Sequence, residues 1–146
     1  MFLVSKCLTG AACRWDGGTN LVPEIKALED AGLAIAVCPE VLGGLPTPRT
    51  PSEVLNDKVI DSVGTDVTAS FRKGAYETLC ICLEHRCELA ILKSGSPSCG
   101  CGHIHNGKFD GGMVVGNGIT ASLLMNHGIK VVTEQQWLEE YHVKHL

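Results

Sequence analysis

The sequence predicts an α/β protein: one domain built on a doubly wound parallel sheet of about four to five strands, with a small β-hairpin beside it. Three observations carry that reading. Short, mostly apolar runs, the mark of buried strands, recur at residues 2–5, 33–37, 89–93 and 129–132. Segments with helical spacing lie between them, and strand–helix–strand is the order of a parallel βαβ unit. A length of 146 residues suits one domain with a substantial core.

The first strand, residues 2–5, runs into a loop opening on Cys7-Leu8-Thr9-Gly10. Arg14-Trp15-Asp16-Gly17-Gly18 is turn chemistry, since Asp and paired Gly suit positive φ and close backbone approach. Leu21, Ile25 and Leu28 predict a helix from about Asn20, stopped by Gly32. The second strand, 33–37, ends on Cys38-Pro39-Glu40. Residues 41–64 are irregular, because the stretch from Gly43 to Pro51 suits neither helix nor central strand. A loop this long is usually functional. It is read as one wall of a site, with Lys58–Asp61 a short strand at its far end.

Thr65 or Asp66 caps a long helix reaching about His85, with Val67, Phe71, Ala75, Thr78 and Cys82 facing inward. The same 100° step turns Cys80 and Cys87 outward, as surface thiols or part of an interface. The strand 89–93 leads directly into Ser96-Pro97-Ser98-Cys99-Gly100-Cys101-Gly102. Between His103 and Val115, Asn106-Gly107 signals a two-residue hairpin turn and Asp110-Gly111-Gly112 a second turn. Asn117 caps a helix through Leu123 and Leu124, which Gly128 ends. After the last strand, Thr133 and Gln136 form a capping box that opens a helix carrying Trp137, Leu138 and Tyr141. The alternation as a whole is Rossmann-like or flavodoxin-like.

A formal net charge of −4 leaves no basic footprint for nucleic acid and no polybasic membrane patch. The apolar start breaks at Ser5-Lys6, too short for a signal peptide or a membrane span, so a soluble cytoplasmic protein is expected. Eight cysteines then stand out. In a reducing compartment they do not make a disulfide framework, and metal binding or catalysis is the better reading for some of them. No paired CxxC spacing supports a structural zinc.

Cys7, Cys38 and Cys99 each fall at or just after the carboxyl end of a strand, where open α/β sheets bind ligands. Thiolates there suit zinc, Cu(I) or an iron–sulfur cluster. Three are one short of the set that closes a structural zinc or an electron-transfer cluster, so a [4Fe–4S] cluster so held keeps one iron open. Other readings stand beside this one. The three are ordinary buried thiols next to Gly-rich turns, or part of a metal or redox sensor without turnover. Cys7 to Arg14 also resembles the phosphate loop of small cysteine phosphatases and arsenate reductases; that loop needs Cys-x5-Arg, and here Cys13 holds the place with Arg14 one residue late. His103 and His105 alternate on a hairpin, so at most one is expected to face the site, while His85, His127, His142 and His145 read as helix-end or solvated residues.

Four blocks in order then carry a family resemblance over nearly the whole chain. They are Ser5-Lys6-Cys7-Leu8-Thr9-Gly10 with Arg14 to Gly18; Cys38-Pro39-Glu40-Val41 with Gly44 to Arg49; Leu92-Lys93 with Ser96 to Gly100; and Gly107-Lys108-Phe109 with Gly118-Ile119-Thr120-Ala121. They resemble the signature of the thiouracil desulfurase family. The resemblance implies a [4Fe–4S] cluster held by three cysteines, matching Cys7, Cys38 and Cys99, and non-redox removal of sulfur from a thiolated nucleobase such as 2-thiouracil, giving uracil. The residue types agree, since a soft thiocarbonyl sulfur would coordinate the open iron and expose its carbon to water. Glu40, two residues from a ligand, is the candidate general base. Ser96 is the candidate hydrogen-bond donor to the base or the water. Asp16 and Arg49 are candidates for substrate recognition, unless they simply pair with each other. Lys6, Cys13 and Cys101 depart from the usual pattern, and Cys13 or Cys101 is a candidate extra ligand. A homodimer is compatible with the sequence.

Overall fold

The computed structural model describes residues 1–142, with side chains to residue 140. The chain opens with β1 (Phe2–Ser5) and a single 3-10 turn at Lys6–Thr9. Helix α1 (Pro23–Asp30) starts three residues later than the spacing suggests, because Pro23 occupies its first turn, where a missing N–H costs nothing. Then come β2 (Ala34–Val37) and α2 (Pro39–Leu42), the latter also opened by a proline. Residues 41–64 are more ordered than their composition suggests. They contain β3 (Ser52–Leu55) and β4 (Lys58–Asp61), paired antiparallel through Asn56 and Asp57, both at positive φ.

The long helix α3 (Thr68–Glu84) buries Phe71, Ala75, Thr78 and Cys82, as its periodicity requires, and leaves Cys80 exposed. Its amino end is tied by Asp66, whose carboxylate accepts from the Thr68 N–H at 2.9 Å. Cys87 is buried, contrary to the helical extrapolation. The helix ends at Glu84, and Arg86 at φ +55° folds the chain back, so the 100° step no longer applies.

Strand β5 (Leu89–Leu92) is followed by β6 (His103–His105) and β7 (Met113–Val115), which pair antiparallel. Asn106-Gly107 is not a two-residue turn. It begins a longer connection, 106–112, because Glu53 of β3 draws the Gly107 N–H away from the hairpin axis. Asn117 does not cap α4 (Ile119–Asn126); its side chain accepts from Gly102 instead, and Gly118 takes the cap position. The chain continues through β8 (Lys130–Thr133) to α5 (Glu134–Gln136), opened by the Thr133–Gln136 capping box, and a π-helical turn at Trp137–His142. The side chains of Tyr141 and His142, and all of His145, lie outside the described residues.

The main sheet has the order β2-β1-β5-β8, parallel throughout. Its side chains alternate between two cores. Leu3, Ala90, Leu92 and Val131 pack with Leu79 and Cys82 of α3 and with Ala121 and Leu124 of α4. Val4, Ile91 and Val132 pack on the other face with Leu8, Ile25 of α1 and Trp137. Each fully buried aliphatic side chain contributes about 1.5–3 kcal/mol relative to exposure. The chain leaves β1 for β2 on one side and later returns to β5 on the other. That reversal opens a crevice beyond the carboxyl ends of β1 and β5.

Close packing of α2 on α3 sets one wall of the crevice. A Cβ at Gly74 would overlap the Pro39 carbonyl, and one at Gly43 would overlap the Ser70 carbonyl. Glycine in mid-helix is unfavourable in itself. Here it lets α2 seat on α3, and so places Cys38, Pro39 and Glu40.

Candidate functional site

A cavity of about 470 Å³ fills the crevice. Cys7 (after β1), Cys38 (after β2) and Cys99 (after β5) all line it, and Cys13 joins them. The loop carrying Cys7 is held by its own carbonyl, which accepts from the N–H of Asn20 at 3.0 Å and the hydroxyl of Thr19 at 3.0 Å. The loop carrying Cys99 is held by Ser96: its Oγ accepts from the N–H of Ser98 at 3.1 Å and of Cys99 at 3.0 Å, and its carbonyl accepts from Gly100 at 2.8 Å. Pro97 and Gly100 turn the backbone tightly between these bonds. The Ser96 hydroxyl proton remains available to the cavity.

The thiols differ in character. Cys13 lies beside both Cys7 and Cys38, and its side chain is the largest influence on each. It lowers Cys7 to about 7 and Cys38 to about 6, with Val41 and Arg49 also favouring the Cys38 thiolate. Cys13 in turn is pushed up and stays a thiol. Burial, countered in part by the Ser5 hydroxyl, pushes Cys99 up as well. Cys101 is not on this wall; it lines a neighbouring cavity of about 520 Å³, where its Sγ lies 3.6 Å from the Val131 carbonyl.

Glu40 projects from the first turn of α2 onto the cavity wall and is largely buried. Arg49 Nε meets Glu40 Oε1 at 3.2 Å, and Arg49 also donates to the Cys13 carbonyl at 2.8 Å and the Pro46 carbonyl at 3.2 Å. Burial raises the Glu40 pKa and is the dominant influence, with the Arg49 cation opposing it. Arg49 therefore pairs with Glu40, not with Asp16. Asp16 lies outside the cavity lining, turned to Arg14 at 3.3 Å and to the Gly18 N–H at 2.9 Å. Arg14 is further engaged by Asn20 at 3.0 Å.

Several lining residues were not singled out as site residues by pattern. Lys93 stands on the wall, bonded to Ser94 and 3.7 Å from Glu134, and its charge favours the Cys7 thiolate. Its place one residue past a buried strand was the available signal. Of the two hairpin histidines, His105 alone lines the main cavity, while both line its neighbour. Period two puts them on one face of β6, so their distance along the strand is what separates them. The His105 Nδ1 is buried with no hydrogen-bond partner among the described residues. Glu53 of β3, and Trp15 and Phe109 from loops, add to the lining where no periodicity announces a side chain's direction.

The thiouracil desulfurase blocks of the sequence thus surround one cavity. The chain belongs to the 2-thiouracil desulfurase family, whose model matches residues 2–136. It is 40% identical, over 93% of its length and 97% of the relative's, to the uncharacterized protein YbbK of Bacillus subtilis (strain 168). It is also similar to the solved structure of TudS, a [4Fe-4S]-dependent thiouracil desulfidase, with 44% identity, a TM-score of 0.91, and coverage of 99% of this chain and 97% of that one. The α/β fold with its parallel four-stranded sheet is shared with that enzyme.

Proposed function

We propose that this protein is a [4Fe–4S]-dependent desulfidase that converts a small thiolated base, of the 2-thiouracil kind, to its oxo form with release of hydrosulfide. The observation that carries the reading is the meeting of Cys7, Cys38 and Cys99 in one cavity with a buried carboxylate, Glu40, on its wall. The donor set fits the cluster. Three thiols on the wall of one cavity are soft donors of the kind such a cluster takes. Two of the thiols, Cys7 and Cys38, are shifted towards the thiolate form that ligation requires.

Cys7, Cys38 and Cys99 would hold the cluster, and when bound it supplies an open iron as a soft Lewis acid for the thiocarbonyl sulfur. The protein's own groups do the rest. Arg49 holds Glu40 by one oxygen, Oε1, which leaves Oε2 to take a proton from the water adding to the C=S carbon. The new C–O bond forms as the C–S bond breaks, and carbonyl product and hydrosulfide result without any change of oxidation state. Ser96 donates its hydroxyl to the base or the water. The Lys93 ammonium, beside Cys7, offsets negative charge gathering there.

Anaerobically reconstituted protein given 2-thiouracil should produce uracil and sulfide in equal amounts. Reconstituted protein that binds thiolated bases but releases neither product would overturn the reading in favour of a sensor without turnover.

A further inference from the structure

Two aromatic side chains stand on the wall of the thiol-lined cavity, and both come from loops. Trp15 lies in the turn after β1 and Phe109 in the β6–β7 connection. They are 45% and 39% exposed, so each keeps a large π surface out of the core. Phe109 carries a second mark. Its φ is +54°, the left-handed region that bulky side chains rarely enter.

Neighbouring residues hold that conformation in place. Glu53 on β3 accepts from the N–H of Gly107 at 3.0 Å and of Phe109 at 3.2 Å. Gly107 permits the approach, since a Cβ there would stand 2.7 Å from Leu55 Cβ and 2.8 Å from the Val54 carbonyl oxygen. Asp110 closes the loop, accepting from the Asn106 side chain at 2.8 Å and the Gly112 N–H at 2.8 Å. A strained residue held by its surroundings, with its ring at a cavity, is the pattern of a positioned contact.

We propose that Phe109, fixed by Glu53, stacks on the ring of the substrate, with Trp15 as a second aromatic surface. The site then selects planar, unsaturated thio-heterocycles over saturated or acyclic thioamides. The inference deepens the proposed function and rests on it for the thiolated ring. Stacking needs a flat π face and is indifferent to the ring's substituents. A saturated ring puckers and loses that contact. Phe109 does not reach the reacting carbon's chemistry, so it is a positioning residue and acts on KM more than on kcat.

The test compares 2-thiouracil with 5,6-dihydro-2-thiouracil on reconstituted wild type, Phe109→Ala and Phe109→Trp, alongside calorimetric binding of uracil and dihydrouracil to the same loaded proteins. Phe109→Ala should raise KM for 2-thiouracil and Kd for uracil by about tenfold to a hundredfold, and the preference for the unsaturated ring should shrink by a similar factor. Phe109→Trp should keep the preference. Equal losses on both rings, or a uracil Kd indifferent to Phe109→Ala, would overturn the proposal. Should wild type turn over neither substrate, the desulfidase reading fails, and the binding of uracil against dihydrouracil still decides the stacking.

Discussion

Glu40 meets Arg49 through a single carboxylate oxygen, so the cation that opposes the effect of burial also decides which oxygen is left for the proposed proton transfer. Replacing Glu40 by Gln should lower kcat of the loaded protein by about 10²- to 10⁴-fold while its visible absorbance is retained. Sulfide release and a spectrum on the same sample check this. Arg49 has a different job. Its side chain is 6% exposed and ties Glu40, the Cys13 carbonyl and the Pro46 carbonyl together. Arg49→Met strands a buried carboxylate and should cost about 3–5 kcal/mol, read as a fall in Tm of roughly 10 °C. Arg49→Lys should recover little of it, because a point charge cannot replace the planar fork.

Among the elements, the α2–α3 contact governs the site most directly. Gly74→Ala forces a Cβ into the Pro39 carbonyl and should destabilise the fold by about 1–3 kcal/mol. It should also weaken cluster retention, because Cys38 rides on α2; thermal melting and iron content are the measurements. The thiols of α3 give a second check. Cys80 is exposed, whereas burial lifts Cys82 to about 12 and hides Cys87 beside it. Alkylation of the native chain should modify Cys80 rapidly and leave Cys82 and Cys87 unmodified until the chain unfolds. These elements also show what the sequence can and cannot disclose. The buried strands were legible as short, mostly apolar runs, and α3 because Phe71, Ala75, Thr78 and Cys82 keep one period. The β3–β4 hairpin was half legible. Its second strand shows in the Val59-Ile60 pair, but its first follows Pro51 and turns on Asn56-Asp57 without a glycine. Cys87 and Asn117 were misjudged for a shared reason. Each lies just outside a helix, where helical geometry stops and a specific tertiary contact decides.

At the scale of the whole molecule, the sheet order puts three loops at one crevice, and that is why residues spaced over ninety positions of sequence share a cavity. Strand ends could be located from composition alone, so the cysteine-bearing loops were legible. The partner of Arg49 was not, because two carboxylates, Asp16 and Glu40, were equally near it in type and only the turn held by Gly18 removes Asp16 from the crevice. Among the described residues no helix is long and apolar enough to cross a membrane. The measurement that tests the account most directly is the iron and sulfide content of the anaerobically reconstituted chain and its single-cysteine variants. About four irons and four sulfides per chain are expected for wild type and for Cys80→Ala, with loss of both in Cys7→Ala, Cys38→Ala and Cys99→Ala. A full cluster surviving the removal of any one of those three thiols would contradict the account.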